Sequence, residues 1–212
     1  MTIKCFPVNP LGVNCFIAYD ETKEGVIIDC GCSAASEWNS IKNFINAEGL
    51  SIKHMLNTHL HFDHVWGNHF VTEDLGLAPE ASADDIFIYN SADKMIRSFI
   101  GISIPLPKLP TIGTKLADGD NILFGNTSLK VIATPGHTPG GLCFYSKADE
   151  VLFSGDTLFQ CSMGRTDLDG GNQEAIMRSL QKLATLPDST NVLCGHGPST
   201  TIGYEKRFNP YL

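Results

Sequence analysis

From Thr58 to His64 the chain reads Thr-His-Leu-His-Phe-Asp-His, so three histidines and one aspartate fall within positions 59–64, directly after an apolar run. Packing gives no reason for this density, because each imidazole or carboxylate taken out of water must be given a partner. A metal ion is such a partner. Neutral imidazole and carboxylate suit zinc or iron, and residues two apart at the end of a strand face the same side. His59 and His61 are therefore expected to ligate one ion together. Asp63 and His64, where the chain turns into a short helix at 65–70, are expected to address a second. Whatever the fold, it must bring further ligands from distant turns to this point.

Three other turns offer them. His137 lies in Ala-Thr-Pro-Gly-His-Thr-Pro-Gly (133–140), Asp156 in Phe-Ser-Gly-Asp-Thr (153–157) and His196 in Leu-Cys-Gly-His-Gly (193–197). Each follows an apolar strand and sits beside glycine, where backbone can crowd close to a charged centre. Taken singly, each is equally readable as an exposed turn histidine or an aspartate bonding its own backbone. Together with the 59–64 cluster they point to metal ligation. His54 and His69 fit no ligand position and are expected to be satisfied or exposed.

Short β-branched apolar runs predict strands at 3–8, 15–19, 26–29, 53–58, 121–124, 128–134, 142–146, 151–154 and 191–194. Between them, residues 34–47 carry Trp38, Ile41, Phe44 and Ile45 at helical spacing, with Ser33 as the N-cap and Gly49 past the end. Residues 173–186 repeat the arrangement through Ile176, Leu180 and Leu183 until Pro187 stops the helix. The Ala-, Asp- and Glu-rich stretch 75–85 reads as a surface insertion, 86–89 as a strand and 91–100 as a helix. Pro105, Pro107 and Pro110 favour an extended loop at 102–113, placed to wall a cleft. No repeat or break in composition divides the chain, so residues 1–212 read as one α/β domain.

Composition narrows the function classes. Fifteen Lys and Arg against 23 Asp and Glu give a formal net charge of −8, the wrong sign for a phosphate backbone, so no nucleic-acid partner is expected. No apolar stretch approaches the roughly 20 residues of a membrane span, and no run near Met1 has signal-peptide character, so a cytoplasmic location without a membrane partner is expected. Seven cysteines, an odd number, are expected to be reduced. Cys30-Gly-Cys32 lacks the two-residue spacer of a redox or zinc pair, and Cys161 is the thiol whose role is least defined.

The order H-x-H-x-D-H, then His, then Asp, then His, resembles the metallo-β-lactamase superfamily over nearly the whole chain. The resemblance implies a four-layered αββα sandwich with metals at one edge between the sheets. It implies that His59, His61 and His137 bind one ion, that Asp63, His64 and His196 bind the other, and that Asp156 bridges them. True β-lactamases of this superfamily resemble one another in carrying a cysteine where Asp156 stands, which disfavours antibiotic hydrolysis. Gly155-Asp156-Thr157-Leu158-Phe159 followed by Gly164-Arg165 is similar to the glyoxalase II type of hydroxyacylglutathione hydrolase. Met163-Gly164-Arg165-Thr166-Asp167 and the 205–211 segment resemble its compact bacterial relatives. Glyoxalase II also has a helical C-terminal domain whose basic residues help hold glutathione. Only residues 197–212 follow His196 here, so the resemblance carries over the hydrolytic site and puts that glutathione site in doubt.

The chemistry expected of such a site is hydrolysis. Two divalent ions, zinc with iron or manganese as the other candidates, would lower the pKa of a shared water toward neutrality and so place a hydroxide nucleophile between them. Asp63 would orient that solvent, and Arg165 is a candidate to pair with a substrate carboxylate. A small-molecule thioester such as S-lactoylglutathione is a fitting target, because its thiolate, of conjugate pKa about 8.5, departs without a strong general acid. Two other readings stay open. His59, His137 and Asp156 also suit a single Fe(II), as in the persulfide dioxygenases that resemble this fold. A non-catalytic module is disfavoured, since a structural zinc site is usually closed by four protein ligands.

Overall fold

Residues 13–19 are buried almost throughout, and their successive side chains enter opposite cores, which sets the layering of the molecule. The structure, a computed structural model, describes residues 1–100 and 107–212. The first half runs β1 (Thr2–Val8), β2 (Val13–Tyr19), β3 (Glu24–Ile28), α1 (Ala35–Glu48) and β4 (Ser51–Leu56). It continues through α2 (Phe62–Val65), α3 (Asn68–Leu75), β5 (Pro79–Glu80), a 3₁₀ turn (Ala83–Asp85), α4 (Ile86–Tyr89) and α5 (Ala92–Ile100). The second half runs β6 (Asn121–Phe124), β7 (Thr127–Ala133), β8 (Leu142–Ser146), β9 (Val151–Gly155), β10 (Leu158–Phe159) and β11 (Ser162–Met163). It ends with α6 (Gln173–Leu183), β12 (Asn191–Cys194), β13 (Thr200–Thr201) and α7 (Ile202–Phe208).

One sheet has the order β1-β2-β3-β4-β5 and the other β13-β12-β9-β8-β7-β6. On β2, Phe16 and Ala18 face the second sheet and meet Phe124, Val131, Phe144 and Phe153 in the central core. Cys15 and Ile17 face the other way, beneath Trp38, Ile41 and Ile45 of α1. The outer face of the second sheet, with Ile132, Cys143, Leu152 and Val192, is covered by Ile176, Leu180 and Leu183 of α6 and Ile202 of α7. The layers are therefore helix, sheet, sheet, helix: the αββα sandwich expected from the sequence. The parallel pairs β3–β4 and β9–β12 are joined through α1 and α6, so the strands that carry site residues end at the same edge. Among the described residues, no helix is long and apolar enough to cross a membrane.

Two elements differ from the sequence reading. Residues 86–89 form a helix and not a strand, because four apolar residues are too short a run to show a period. The preceding Ser82 accepts from the Asp84 backbone N–H, which sets a helical start, and α4 then buries Ile88 and Tyr89 while Phe87 stays 49% exposed. The 75–85 stretch is no surface insertion: β5 adds an edge strand parallel to β4, and Ala81 and Asp85 are fully buried. Its polar composition conceals a buried carboxylate satisfied by hydrogen bonds. Smaller shifts occur at helix ends. Ala34, not Ser33, is the N-cap of α1, and Glu37 reaches back to the backbone N–H groups of Ser33 and Ala34. The helix expected at 65–70 is divided between α2 and α3. Of the proline-bearing loop, residues 102–106 lie outside the described residues. Leu109 packs with Leu60 and Phe62, and the Pro110 carbonyl accepts from Tyr89 Oη at 2.8 Å.

All seven cysteines are free thiols, as expected, with Cys5 and Cys161 exposed and the others buried. Burial pushes the Cys143 thiol up to about 11 and that of Cys194 to about 12, which makes them inert packing groups.

His54 is satisfied on both ring nitrogens, with Nδ1 2.6 Å from Glu80 Oε1 and Nε2 3.1 Å from the Leu123 carbonyl. Two acceptors favour the imidazolium, and the Glu80 bond raises the His54 pKa above its ordinary value. A raised folded pKa contributes stability that is complete below the unfolded value, about 6.5, and fades as pH rises through the folded value. His54→Gln is thus expected to lower the thermal midpoint below about pH 6.5 and to flatten its decline above that pH. Parallel melting curves for parent and variant between pH 5.5 and about 8.5 would count against the pairing.

Candidate metal centre

The β4 strand ends at Leu56, and the next five residues are bonded into place. Thr58 donates its backbone N–H to Asp29 Oδ1 at 2.8 Å and its Oγ1–H to Asp29 Oδ2 at 2.7 Å, while its carbonyl accepts from Leu142 N at 2.7 Å. This turn therefore touches both sheets at once. It presents His59 and His61, whose ring centroids are 4.8 Å apart, and His137 from the turn after β7 completes a group with centroids 4.9 and 4.6 Å from theirs. His64, in α2, meets His196 after β12, with their Nε2 atoms 3.3 Å apart. His196 reaches this point because Val13 of β2 bridges to it and Asn14 holds the Cys194 and Gly197 carbonyls.

Asp156, after β9, stands between the two groups. Its Oδ1 is 3.4 Å from His64 Nε2, and its Oδ2 is 3.6 Å from both His137 Nε2 and His196 Nε2. Asp63 Oδ2 lies 3.4 Å from His196 Nε2 and 3.9 Å from His64 Nε2, so this carboxylate faces the second group. All seven residues expected from the sequence meet, in three overlapping clusters: His59–His61–His137, His59–His64–Asp156 and Asp63–His64–His196. In each cluster the candidate ligand atoms lie within 4.8 Å of one another. A β-carbon at residue 195 would collide with Asp156 Oδ1, so only glycine lets the two turns approach this closely.

The donor set fits divalent cations. His59 Nε2, His61 Nε2, His137 Nε2 and Asp156 Oδ1 are buried with no hydrogen-bond partner, and such orphans cost about 1–3 kcal/mol each unless something fills the space between them. The opposite ring nitrogens are engaged: His137 Nδ1 donates to the Arg165 carbonyl at 2.7 Å, and His196 Nδ1 to the Leu11 carbonyl at 3.1 Å. His59 Nδ1 is 3.1 Å from Thr58 Oγ1, and His64 Nδ1 is 3.0 Å from Asp29 Oδ2. The bonds at His59, His137 and His196 fix the ring orientation and leave their Nε2 atoms aimed inward.

Electrostatics agree. Burial, reinforced by neighbouring imidazoles, drives His59 well below its ordinary pKa and His61 down to about 3, so both offer lone pairs at neutral pH. Burial opposes ionisation of Asp63 and Asp156, yet the charge of His64 beside them outweighs it and holds both below the usual carboxylate value. His64 is raised well above its ordinary value, against burial, by Asp156, Asp29 and Asp63. Three carboxylates converging on one imidazole mark a place that calls for positive charge.

Five of the cluster residues, His61, Asp63, His137, Asp156 and His196, line the floor of a cavity of about 240 Å³ whose walls include Leu11, Phe62, Met95 and Leu168, with Arg165 at its rim. Arg165 is half exposed and already paired in a bidentate manner with Asp167, at 2.7 and 2.6 Å. A larger depression of about 730 Å³, lined by Met1, Lys130, Tyr145 and Asp149, holds none of these ligand clusters.

Sequence reasoning passed over the residues that hold the ligands. Asp29, Thr58, Asn57 and Asp85 are buried, and Asn57 donates to the His64 carbonyl at 3.1 Å. Asp29 had a visible signal, since it ends an apolar strand just as the 59–64 cluster does. His54 and His69 stay outside the cluster, as expected, with His69 Nδ1 3.1 Å from the Trp66 carbonyl.

Residues 8–196 match the metallo-β-lactamase superfamily domain. An uncharacterised protein of Aquifex aeolicus is 38% identical over all of this chain and 97% of its own length. The hydroxyacylglutathione hydrolase GloC of Haemophilus influenzae is 33% identical over all of this chain and 98% of its own. Among solved structures, the B3 metallo-β-lactamase BLEG-1 superposes with a TM-score of 0.88 at 33% identity, covering 100% of this chain and 99% of that one. TTHA1623, solved in a di-iron-bound form, gives 0.86 at 37%, covering 99% and 100%. ETHE1 from Myxococcus xanthus gives 0.79 at 26%, covering 99% and 84%. Fold, ligand order and sequence agree: the chain belongs to the metallo-β-lactamase superfamily.

Proposed function

We propose that this chain is a dinuclear metal-dependent hydrolase of small-molecule thioesters, with S-acylglutathiones such as S-lactoylglutathione as its substrate class and zinc as its ion. The observation that carries this reading is the position of Asp156, 3.4–3.6 Å from His137, His64 and His196, where three overlapping ligand clusters meet beside a cavity with apolar walls. Divalent ions in such groups polarise a carbonyl and make hydroxide available near pH 7. Asp63, buried and facing His196, is placed to orient the attacking solvent and to hold its proton.

A thiolate leaves without protonation, which matches a cavity whose described lining includes no neutral acid beside the cluster. At about 240 Å³ the cavity is smaller than the roughly 300–1,000 Å³ of a drug-sized site, so it takes the acyl group and sulfur and leaves the rest of the thiol carrier at the rim. There Arg165 would exchange Asp167 for a substrate carboxylate. The relative named hydroxyacylglutathione hydrolase GloC aligns over 98% of its own length, so a chain of this compactness already bears that name.

Zinc-loaded protein is expected to release thiol from S-lactoylglutathione well above the metal-free protein, followed with a thiol-reactive chromophore. The assay should include a panel of acyl-thioesters and a chromogenic cephalosporin. Turnover of the cephalosporin with every thioester blank would replace this reading with the activity for which BLEG-1 is named.

A mononuclear Fe(II) persulfide dioxygenase using His59, His137 and Asp156 is the second reading, favoured by the likeness to ETHE1. The convergence of Asp63, His64 and His196 on one point argues for a second ion instead. One iron per chain, with oxygen uptake on glutathione persulfide, would decide for the dioxygenase.

A further inference from the structure

Asp85 closes the 3₁₀ turn before α4 and has no exposed surface. Its Oδ2 accepts from the Leu60 backbone N–H at 3.2 Å and from Thr138 Oγ1 at 2.8 Å, and its Oδ1 accepts from the Gly140 N–H at 2.6 Å. These donors are not scattered. Leu60 stands between His59 and His61, Thr138 directly follows His137, and Gly140 lies two residues further along the same turn. One of those turns follows β4 of the first sheet and the other follows β7 of the second, so a single carboxylate ties together both segments that carry the first ligand group.

Gly140 gives an independent sign that the chain is built around this carboxylate. A β-carbon there would come within 2.7 Å of Asp85 Oδ1 and 2.9 Å of the Asp85 backbone nitrogen, closer than side chains tolerate. All three donors are neutral and donate to the carboxylate oxygens, which offsets part of the burial that raises the Asp85 pKa above its ordinary value. The first ligand group itself consists of three imidazoles and contains no carboxylate of its own. A cation among them is balanced on one side by Asp156, and Asp85 supplies an anion just behind the ligand-bearing turns.

We propose that Asp85 is a positioning residue that sets the spacing of the His59–His61 turn against the His137 turn and thereby tunes cation affinity at the first ligand group. This rests on the reading of the cluster as a metal centre. It gives the 75–89 segment a part in the site that neither its composition nor the ligand pattern indicates.

The test compares the parent with Asp85→Asn and Thr138→Val. Stepwise zinc transfer to a chromophoric chelator gives the two affinities, and Co(II) absorption reports ligand geometry independently of activity. Asp85→Asn loses the charge and leaves an amide among donors, so affinity for one of the two ions is expected to fall about 10–100-fold, with a changed Co(II) spectrum. The other ion should stay within about threefold. Thr138→Val keeps the charge and removes one bond, and a smaller fall of about 3–10-fold is expected. Parental affinities and an unchanged spectrum in Asp85→Asn would overturn the inference. If Asp85→Asn does not fold, Thr138→Val decides: a weakened ion supports the inference and parental behaviour overturns it. A parent that binds no zinc at all would instead remove the metal-centre reading, before any variant is compared.

Discussion

Asp156→Ala is expected to lower kcat for thioester hydrolysis by more than about a thousandfold, some 4 kcal/mol of barrier at about 1.36 kcal/mol per decade. It is also expected to cut tightly held zinc to one ion per chain or fewer. The reason is position. Asp156 faces His137 of one ligand group and both His64 and His196 of the other, at 3.4–3.6 Å, whereas Asp63 faces only the second group. Removing Asp156 therefore weakens both groups and leaves His64 buried against a smaller negative charge. Asp156→Asn keeps the shape and loses the charge, so it separates packing from electrostatics and is expected to be nearly as inactive. Elemental analysis beside steady-state rates checks both variants. A variant that keeps two ions and loses less than about tenfold in rate would show that the bridge does not matter.

Metal removal is expected to have the second largest effect, on stability as well as on rate. The buried orphans His59 Nε2, His61 Nε2 and His137 Nε2 converge without protein partners, so the cluster is under-satisfied until cations fill it. With free zinc about 1,000-fold above its dissociation constant, each ion that binds only the folded chain adds about 4 kcal/mol. For a chain of this size 1 kcal/mol shifts the thermal midpoint by about 2–4 °C, so chelation is expected to lower it by on the order of 10 °C or more. Thiol release should fall to the uncatalysed level and return when zinc is restored. Calorimetry with and without chelator reads the shift, and equal midpoints would mean that the cluster stands without cations. His59→Ala should reproduce part of the loss in a form that added zinc cannot reverse, because a first-group ligand is missing.

Most of the site was legible in the sequence because ligand chemistry is local. Three histidines and an aspartate within positions 59–64, and single His or Asp residues in glycine-flanked turns after apolar strands, announce themselves without coordinates. Strands and the two long helices were legible for the same reason: the apolar run at β2 and the helical spacing at α1 depend only on neighbouring residues. The misreadings fell where a segment was too short to show a period or where polar composition stood for solvent. Residues 86–89 are four apolar positions that continue, as a helix, the 3₁₀ turn capped by Ser82, and Asp85 is a charged residue with no exposed surface.

By itself, then, the sequence pointed to metal-dependent chemistry, to the seven residues that meet in the cluster, and to the apolar runs and helical spacing that build sheets and covering helices. Only the tertiary structure decided how closely Asp156 approaches His64, His137 and His196, that Arg165 is already engaged by Asp167, and that Asp29 and Asp85 hold the turns. The physical reason is range. Side-chain period and donor type are properties of adjacent residues, whereas a hydrogen bond from Gly140 to Asp85, 55 positions away, exists only once two sheets have packed and closed the water out.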